Sequence, residues 1–230
     1  MYAYLSKYYN QIFPHNKAFK VLLKGFSKEK RNAIDIGCGT GRLANDLFEL
    51  GMKVIGIDLN EHMIEVAKHS YSAIDFKVMD MLQINDLNQT YQIMTCFGNT
   101  LPHIDQVSLN RWINSLYPLL DKDGVIIIQL LNYEHILKHK PSSLPLVEFE
   151  SLKFMRSYVY HKDHITFQTE LIHDGVTFKG QETLYPYTSE DLRKLFESAS
   201  FDVSLYGSPL LKPFEKDDYY LFLVARKKCQ

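Results

Sequence analysis

Residues 33–47 read AIDIGCGTGRLANDL, an apolar run that ends in three closely spaced glycines and continues as a helical pattern. Glycine inside an element is destabilising, so Gly37, Gly39 and Gly41 indicate that the backbone itself is needed at this point. A strand that passes into a helix through such a loop is typical of an open parallel sheet, whose ligands lie beyond the carboxyl ends of the strands. The segment therefore predicts an α/β fold with a ligand against the main chain.

The alternation of strand and helix continues to about residue 131. Apolar runs predict five strands, and the amphipathic stretches between them predict helices; the runs are NAIDIG, KVIGID, IDFKVMD, YQIMTCFG and GVIIIQLL. Asn60 is placed to cap one helix and Gly51 to end another. Two later runs, FDVSLYG and YYLFLVARK, complete a predicted Rossmann-like, doubly wound, mostly parallel seven-stranded sheet.

The hydrophobic pattern changes after Asn132. Period-two segments with turn signals at Lys162–Asp163 and Asp174–Gly175 predict an antiparallel β-hairpin insertion. The stretch SEDLRKLFESA then returns to a helix, which we expect Ser189 to cap. We predict a single domain that consists of N-terminal helices (1–30), a cofactor-binding core (31–140), a hairpin insertion that forms a substrate lid (141–187) and the C-terminal part of the sheet (188–230).

Charge and cysteine content limit the classes of binding partner and the cellular compartment that we expect for this protein. The 230 residues include 26 basic and 27 acidic side chains, so nothing indicates a nucleic-acid or anionic-membrane surface. Cys38, Cys96 and Cys229 are far apart and form no disulfide framework, which favours a reducing compartment. The N-terminus lacks a signal-peptide pattern, and the longest apolar run is far shorter than the roughly 20 residues that span a bilayer. We therefore expect a cytoplasmic protein that does not bind membranes.

Three strand ends describe an adenosine site. Asp58 closes the second strand, where a carboxylate can accept both ribose hydroxyls, and Asp80 closes the third, where it can accept from an exocyclic amine. Gly39, Gly41 and Ala44 fit the dinucleotide pattern G-x-G-x-x-A, so a nicotinamide cofactor is one alternative. Asp35, just before the loop, is unsuited to a pyrophosphate but suited to an ammonium group. The electrostatics favour S-adenosylmethionine.

The segments IDIGCGTGRL, VIGIDLN and VMD resemble the class I S-adenosylmethionine-dependent methyltransferases, across nearly the whole chain. CFGNTLPHI, LNYEHIL and LYPYTSEDL are most similar to glycine and sarcosine N-methyltransferases and related small-molecule enzymes. The resemblance implies that the three glycines wrap the methionine part of the cofactor and that Asp58 binds its ribose. It further implies adenine contacts by Leu59, Met63, Asp80 and Met81, a methyl-transfer site lined by Cys96, Phe97 and Gly98, and closure by Tyr9.

The acceptor side offers four candidates, three of which have a plainer alternative. His103 is the candidate base, although a neutral amine needs none, and a loop histidine held by hydrogen bonds is the alternative. Asn132 and Tyr133 follow the fifth strand, where this fold presents substrate contacts, but Asn132 can also simply make a turn. Arg156 can grip an anionic substrate or face water. Gln181 stands where glycine N-methyltransferase has an arginine, which argues against glycine as the acceptor.

His135 and His139 have helical i, i+4 spacing, but the intervening Glu and a third ligand are missing, so we predict no metal. The expected partner is a small-molecule methyl acceptor, for which the aromatic residues of the insertion can form a cage. A homodimer through the insertion is an open alternative. The sequence thus predicts N-methyl transfer, with O-methyl transfer, nucleic-acid methylation, an NAD-linked oxidoreductase and a binding module without an acceptor pocket as alternatives.

Overall fold

A computed structural model describes residues 2–27 and 31–228, with side chains from Leu5 onward; Cys229 lies outside them. The helices are α1 (Tyr2–Ile12), α2 (Ala18–Lys24), α3 (Arg42–Glu49), α4 (Glu61–Ser70), α5 (Gln106–Leu119), α6 (Tyr133–His139) and α7 (Ser189–Ser198). The strands are β1 (Asn32–Ile36), β2 (Lys53–Asp58), β3 (Asp75–Val78), β4 (Tyr91–Cys96), β5 (Leu120–Leu131), β6 (Val147–Phe149), β7 (Leu152–Tyr160), β8 (Ile165–His173), β9 (Val176–Leu184), β10 (Phe201–Tyr206) and β11 (Tyr220–Lys227).

The main sheet has seven strands in the order β10-β11-β5-β4-β1-β2-β3. Strands β1 to β5 pair in parallel, whereas β11 lies antiparallel between β5 and β10. The strand order reverses between β1 and β4, and the loops after both strands open at the same edge. The predicted doubly wound, mostly parallel seven-stranded sheet is confirmed, and its ligand-binding edge is the one that carries the glycine loop.

The insertion forms a separate antiparallel sheet in the order β6-β7-β8-β9. A two-residue connection, Asp174–Gly175, joins β8 to β9, as the turn signal predicts. The row Tyr158, Phe167 and Glu182 runs across three strands on one face of this sheet. Buried Phe154 and Leu171 lie on that same face and belong to one apolar cluster with Leu5 and Ile12 of α1. This face of the insertion is therefore the inner one. The division of the chain into four parts stays a prediction.

Apolar side chains cover both faces of the main sheet. One buried cluster includes Trp112 and Leu116 of α5 with Phe196 of α7, and the other includes Leu23 of α2 and Leu47 of α3. These positions follow the helical spacing in the sequence, which explains why the helices dock with those faces. In residues 2–27 and 31–228, no α-helix combines the length and apolar character needed to cross a bilayer.

The helix caps confirm one prediction and correct another. Asn60 caps α4, since its side-chain oxygen accepts from the Met63 amide at 3.1 Å. Ser189 is not the cap of α7. Thr188 is, in a reciprocal pair with Asp191, because the Ser189 hydroxyl donates instead to Glu134 of α6.

Candidate active site

The glycine loop forms a tight cradle between β1 and α3. The amides of Gly37 and Cys38 both donate to the carbonyl oxygen of Ile57, at 2.8 and 2.9 Å. A Cβ on Gly37 would lie 2.5 Å from the Thr100 side chain, and a Cβ on Gly41 would lie 2.6 Å from the Phe76 ring. Both residues also have positive φ, so a side chain at either position would bring strain as well as a clash.

Asp35 is buried beneath this loop. Its Oδ1 accepts a hydrogen bond of 2.8 Å from the Thr95 hydroxyl, while Oδ2 makes no hydrogen bond of standard geometry with the described residues. Burial raises the pKa of Asp35 to about 7, and the hydrogen bond from Thr95 opposes this rise. The ionised form therefore gains from a nearby cation, which is what an ammonium group of a ligand would supply.

Asp58 holds the loop to the end of β2. Its Oδ2 accepts from the Gly39 amide and its Oδ1 from the Asn60 amide, both at 2.8 Å. Each carboxylate oxygen keeps a second lone pair, so ribose hydroxyls can still donate to it. Burial is the main cause that raises the pKa of Asp58, and the two amides oppose the rise.

Exposed apolar side chains surround the ends of β2 and β3. Leu59 is 73% exposed, Val78 is 53% exposed and Leu82 is 38% exposed. Asp80 caps the short helical turn Met81–Leu87 by accepting from the Leu82 amide at 2.9 Å through Oδ1, which leaves Oδ2 for an amine. An apolar surface with one carboxylate at its edge suits an adenine ring. Met81 is half-buried at the start of this turn.

The structure does not place two predicted cofactor contacts on this open surface. Met63 is buried, in a cluster with Leu5 and Ile12 rather than beside Leu59. Phe97 is also buried, because its ring packs edge-on against Phe19 at a centroid distance of 5.2 Å. Both side chains therefore pack in the protein interior next to the predicted site.

The loop after β4 opens into the cleft at Gly98. A Cβ on Gly98 would meet no atom of the described residues within 4 Å, and its amide donates to Oε1 of Gln129 at 2.9 Å. Cys96 just before it is buried, which raises the pKa of its thiol well above the usual range. Gly98 therefore presents open backbone where the methyl-transfer site is predicted, and Cys96 lies below it.

Asn132 and Tyr133 are buried and bonded within the protein, which corrects their prediction as substrate contacts. Asn132 caps α6 through Oδ1, and its Nδ2 donates to the carbonyl oxygens of Lys216 and Asp218 at 2.8 and 2.7 Å. The Tyr133 hydroxyl accepts from Nδ2 of Asn99 at 3.1 Å. Because these polar groups are used internally, both residues support the site from below.

His103 lies between the cofactor edge and the insertion. Desolvation in the cleft lowers its pKa, while the carboxylates of Glu182 and Asp58 act in the opposite direction, although part of the ring reaches solvent. This direction favours the neutral imidazole, which is the form that a proton acceptor needs. Glu182 lies on the inner face of the insertion, in the row with Phe167 and Tyr158.

Arg156 lies on the same inner face. Its guanidinium packs over the rings of Phe13 and Phe154, at 5.7 and 5.6 Å from their centroids, and Nη2 donates to the carbonyl oxygen of Pro145 at 2.9 Å. Its Nε is buried and makes no hydrogen bond with the described residues. Burial lowers the pKa of Arg156, and Tyr219 is the first group that opposes this. Whether Arg156 binds substrate stays a prediction.

Helix α1 covers the glycine loop. Tyr9 lies 3.9 Å from the position that a Cβ of Gly39 would take, and burial raises the pKa of its hydroxyl. The Thr40 hydroxyl of the loop donates to Oδ1 of Asn10 at 2.6 Å, which fastens the helix to the cradle. Closure by Tyr9 over a ligand stays a prediction.

Comparisons with known proteins agree with this geometry. Residues 33–124 match the family described as "Methyltransferase domain". A glycine/sarcosine N-methyltransferase of Halorhodospira halochloris is 24% identical over 220 residues, which are 87% of this chain and 78% of that protein. An S-adenosylmethionine-dependent methyltransferase of Clostridium acetobutylicum shares the fold, with a TM-score of 0.84 and 16% identity over 99% of this chain and 98% of that one.

Residues 33–124 form a methyltransferase domain, and over this core the chain is similar to the class I S-adenosylmethionine-dependent methyltransferases. Other curated relatives are much longer than the region they share with it; this region spans 46%, 26% and 35% of three of them. The third of these is a glycine/sarcosine/dimethylglycine N-methyltransferase of Actinopolyspora halophila, 23% identical over 84% of this chain.

The residues of this candidate site fit S-adenosylmethionine. Oδ2 of Asp35 is buried and makes no hydrogen bond of standard geometry with the described residues, so it can face a cation; Asp58 has free lone pairs for a ribose, and Leu59 begins an exposed apolar surface for an adenine. A pyrophosphate, which the nicotinamide alternative requires, would bring negative charge next to Asp35 and Asp58. The charges of the site therefore favour S-adenosylmethionine over a nicotinamide dinucleotide.

Sequence reasoning missed Asn10, Leu82 and Glu182, which the structure places around this candidate site, and Tyr219, which acts electrostatically on Arg156. Period-two alternation indicates that Gln181 and Glu182 face opposite sides but not which one faces inward; strand pairing shows that Gln181 faces outward with Gln168. Leu82 could have been suspected from its place beside Asp80. Asn10 and Tyr219 give no local signal, since they lie about 30 and 60 residues from their partners Thr40 and Tyr158.

Proposed function

We propose that this chain transfers a methyl group from S-adenosylmethionine to the nitrogen of a small-molecule amine. When bound, the cofactor supplies a methyl group on a sulfonium, which an attacking nitrogen can take directly. The observation that carries the choice of an amine is the charge and aromatic character of the inner face. There, Glu182 follows Tyr158 and Phe167 in one row and acts electrostatically on His103.

This row suits a positively charged acceptor. The Tyr158 and Phe167 rings lie 5.4 Å apart, and aromatic faces attract ammonium groups by about 0.5–2 kcal/mol, depending on desolvation. The Glu182 carboxylate adds an opposite charge beside them. A cationic amine is therefore drawn toward the cleft, whereas an anionic phosphate backbone is not.

Attack on the methyl group needs a neutral nitrogen, so an ammonium must first lose a proton. His103 is the group that can accept it, because desolvation lowers the pKa of the imidazole and so favours its neutral form. The remaining contribution is alignment: the loop at Gly98 leaves room for the acceptor, and Tyr9 helps to exclude water. Alignment alone can contribute roughly 7–11 kcal/mol in well-oriented systems.

The glycine/sarcosine relatives support an amine acceptor, because the acceptors in their names are amines. Gln181 no longer argues against an amino acid, because its side chain points away from the cleft. Arg156 is the inner-face arginine that a carboxylate of such an acceptor would approach. An amine with a carboxylate is thus the first acceptor class to test.

The test measures S-adenosylhomocysteine release with glycine, sarcosine, an amino sugar, a catechol and a short RNA as acceptors. Turnover of at least one amine, with none of the catechol or RNA, is the expected result. Turnover of the catechol or the RNA alone would replace the proposal with one of the alternative methyl transfers. Calorimetry with S-adenosylmethionine and with NAD⁺ comes first, because binding of NAD⁺ alone would reject both the proposed N-methyl transfer and the alternative methyl transfers.

The insertion as a substrate lid, a homodimer through it and a cytoplasmic location stay predictions from the sequence. The near balance of 26 basic and 27 acidic residues supports a small-molecule acceptor over nucleic acid. Sedimentation of the wild type and of a Val159→Glu variant, which charges an exposed strand position of the insertion, would test the dimer.

A further inference from the structure

Two histidines of α6 meet an aspartate from a distant part of the chain. His135 and His139 are one helical turn apart, with ring centroids separated by 4.4 Å. Asp217 lies in the loop before β11, and one potential ligand atom from each of the three residues lies within 4.8 Å of the others. The sequence lacked a third ligand near these histidines, but the fold supplies one about 80 residues later.

We propose that His135, His139 and Asp217, none of which is a predicted cofactor or acceptor contact, form a binding site for Zn²⁺. Two imidazoles and a carboxylate are ligands that Zn²⁺ prefers, and water would complete a tetrahedral shell. In such a shell the ligand atoms lie about 3.3 Å apart, which follows from metal–ligand distances of about 2.0–2.1 Å. Side-chain rotations that move the three ligand atoms by about one or two ångströms would therefore bring them to the spacing of a tetrahedral shell.

The backbone under the site is already held in place. The Nδ2 of Asn132 donates to the carbonyl oxygens of Lys216 and Asp218, which are the residues on either side of Asp217. The same Asn132 caps α6, which carries both histidines. One buried side chain thus fixes both ligand-bearing segments relative to each other, so little backbone ordering is needed when a metal binds.

An unpaired atom in the cluster also indicates a missing partner. Nδ1 of His135 is buried and makes no hydrogen bond with the described residues. The present partner of Asp217 is Lys138, at 2.7 Å, but both side chains of this pair are more than half exposed. Exposed ion pairs contribute only about 0–1 kcal/mol, so a divalent cation can displace the lysine.

The experiment titrates Zn²⁺ into the full chain against a chromophoric chelator, with Co²⁺ as a spectroscopic probe of coordination. We expect a dissociation constant for Zn²⁺ below about 100 µM, which corresponds to the binding free energy of a modest but specific site. His139→Ala and Asp217→Asn should each weaken binding by about tenfold or more, since even outer partners of a metal site have effects of this size. Lys138→Ala should strengthen binding by a few-fold, because it removes the competing cation.

His62→Ala is the matched control, since His62 is a helical histidine, with a side chain 41% exposed, beside the carboxylates of Glu61 and Glu65 and should not affect the affinity. All substituted side chains are exposed, and circular dichroism verifies folding of each variant. Binding that is equally tight in the wild type, His139→Ala and Asp217→Asn would overturn the proposal, as would the absence of Zn²⁺ binding at 100 µM. Unchanged affinity in Lys138→Ala would overturn the role given to the lysine.

Discussion

Replacement of Asn132 by alanine should destabilise the fold, because this buried side chain joins α6 to the loop before β11. The amide oxygen accepts from the amides of Glu134 and His135, at 3.1 and 3.4 Å, and the amide nitrogen donates to two carbonyl oxygens. Loss of a helix cap costs about 1 kcal/mol. Each carbonyl left without its donor costs at least about 1 kcal/mol, so we expect a total loss of about 3 kcal/mol.

For a chain of this length, that loss corresponds to a fall in Tm of about 6–12 °C. Urea unfolding followed by far-UV circular dichroism measures the free energy directly. Asn132→Ser is the matched variant, because serine keeps a capping oxygen and loses only the bridge to the loop; it should recover about 1 kcal/mol.

The competing idea, a direct substrate contact by Asn132, gives a different pattern. It predicts that Asn132→Ala loses methyl transfer while its free energy of unfolding stays within about 0.5 kcal/mol of the wild type, as for an ordinary surface substitution. That outcome would refute the structural role assigned here. A loss of stability in the alanine variant that is equal to the loss in the serine variant would refute only the contribution of the cap.

Three further predictions concern the active site. Because the pKa of Asp35 is raised to about 7, affinity for S-adenosylmethionine should rise about tenfold between pH 6 and pH 8 as the carboxylate ionises, and calorimetry should find this pH dependence lost in Asp35→Asn. Glu182→Gln should raise the acceptor KM about tenfold and shift the acidic limb of the activity profile to lower pH, since the carboxylate raises the pKa of His103; Gln181→Ala, on the outer face, should leave both unchanged. His103→Asn should lower kcat by about 100-fold with an unchanged cofactor Kd, and an unaltered kcat would remove His103 as the proton acceptor.

The acid dependence of folding stability follows from the same raised pKa. Between about pH 4 and pH 7 the native state holds a proton on Asp35 that the unfolded chain has released, so Asp35 makes the unfolding free energy fall as pH rises through this range. Asp35→Asn should flatten that slope in urea titrations without cofactor. A slope that is identical in the variant would show that Asp35 ionises normally.

The sequence by itself determined the order and type of the elements and the position of the cofactor edge. Alternating apolar runs set the parallel sheet, and the spacing of Gly37, Gly39 and Gly41 marked the loop, because both signals are local and depend on backbone geometry. Asp35, Asp58 and Asp80 could be assigned to this edge for the same reason: each lies at or near the end of a strand, and parallel strands bring such ends to one edge.

Only the tertiary structure decided what each side chain on the acceptor side contacts. Asn132 looked like a substrate ligand until its amide was found bonded to carbonyl groups some 85 residues away, and His135 and His139 lacked a third ligand until Asp217 came beside them. Glu182 and Gln181 are neighbours in sequence, and strand pairing alone directs one of them inward. These outcomes depend on contacts between distant segments, for which a single sequence carries no periodic or local signal.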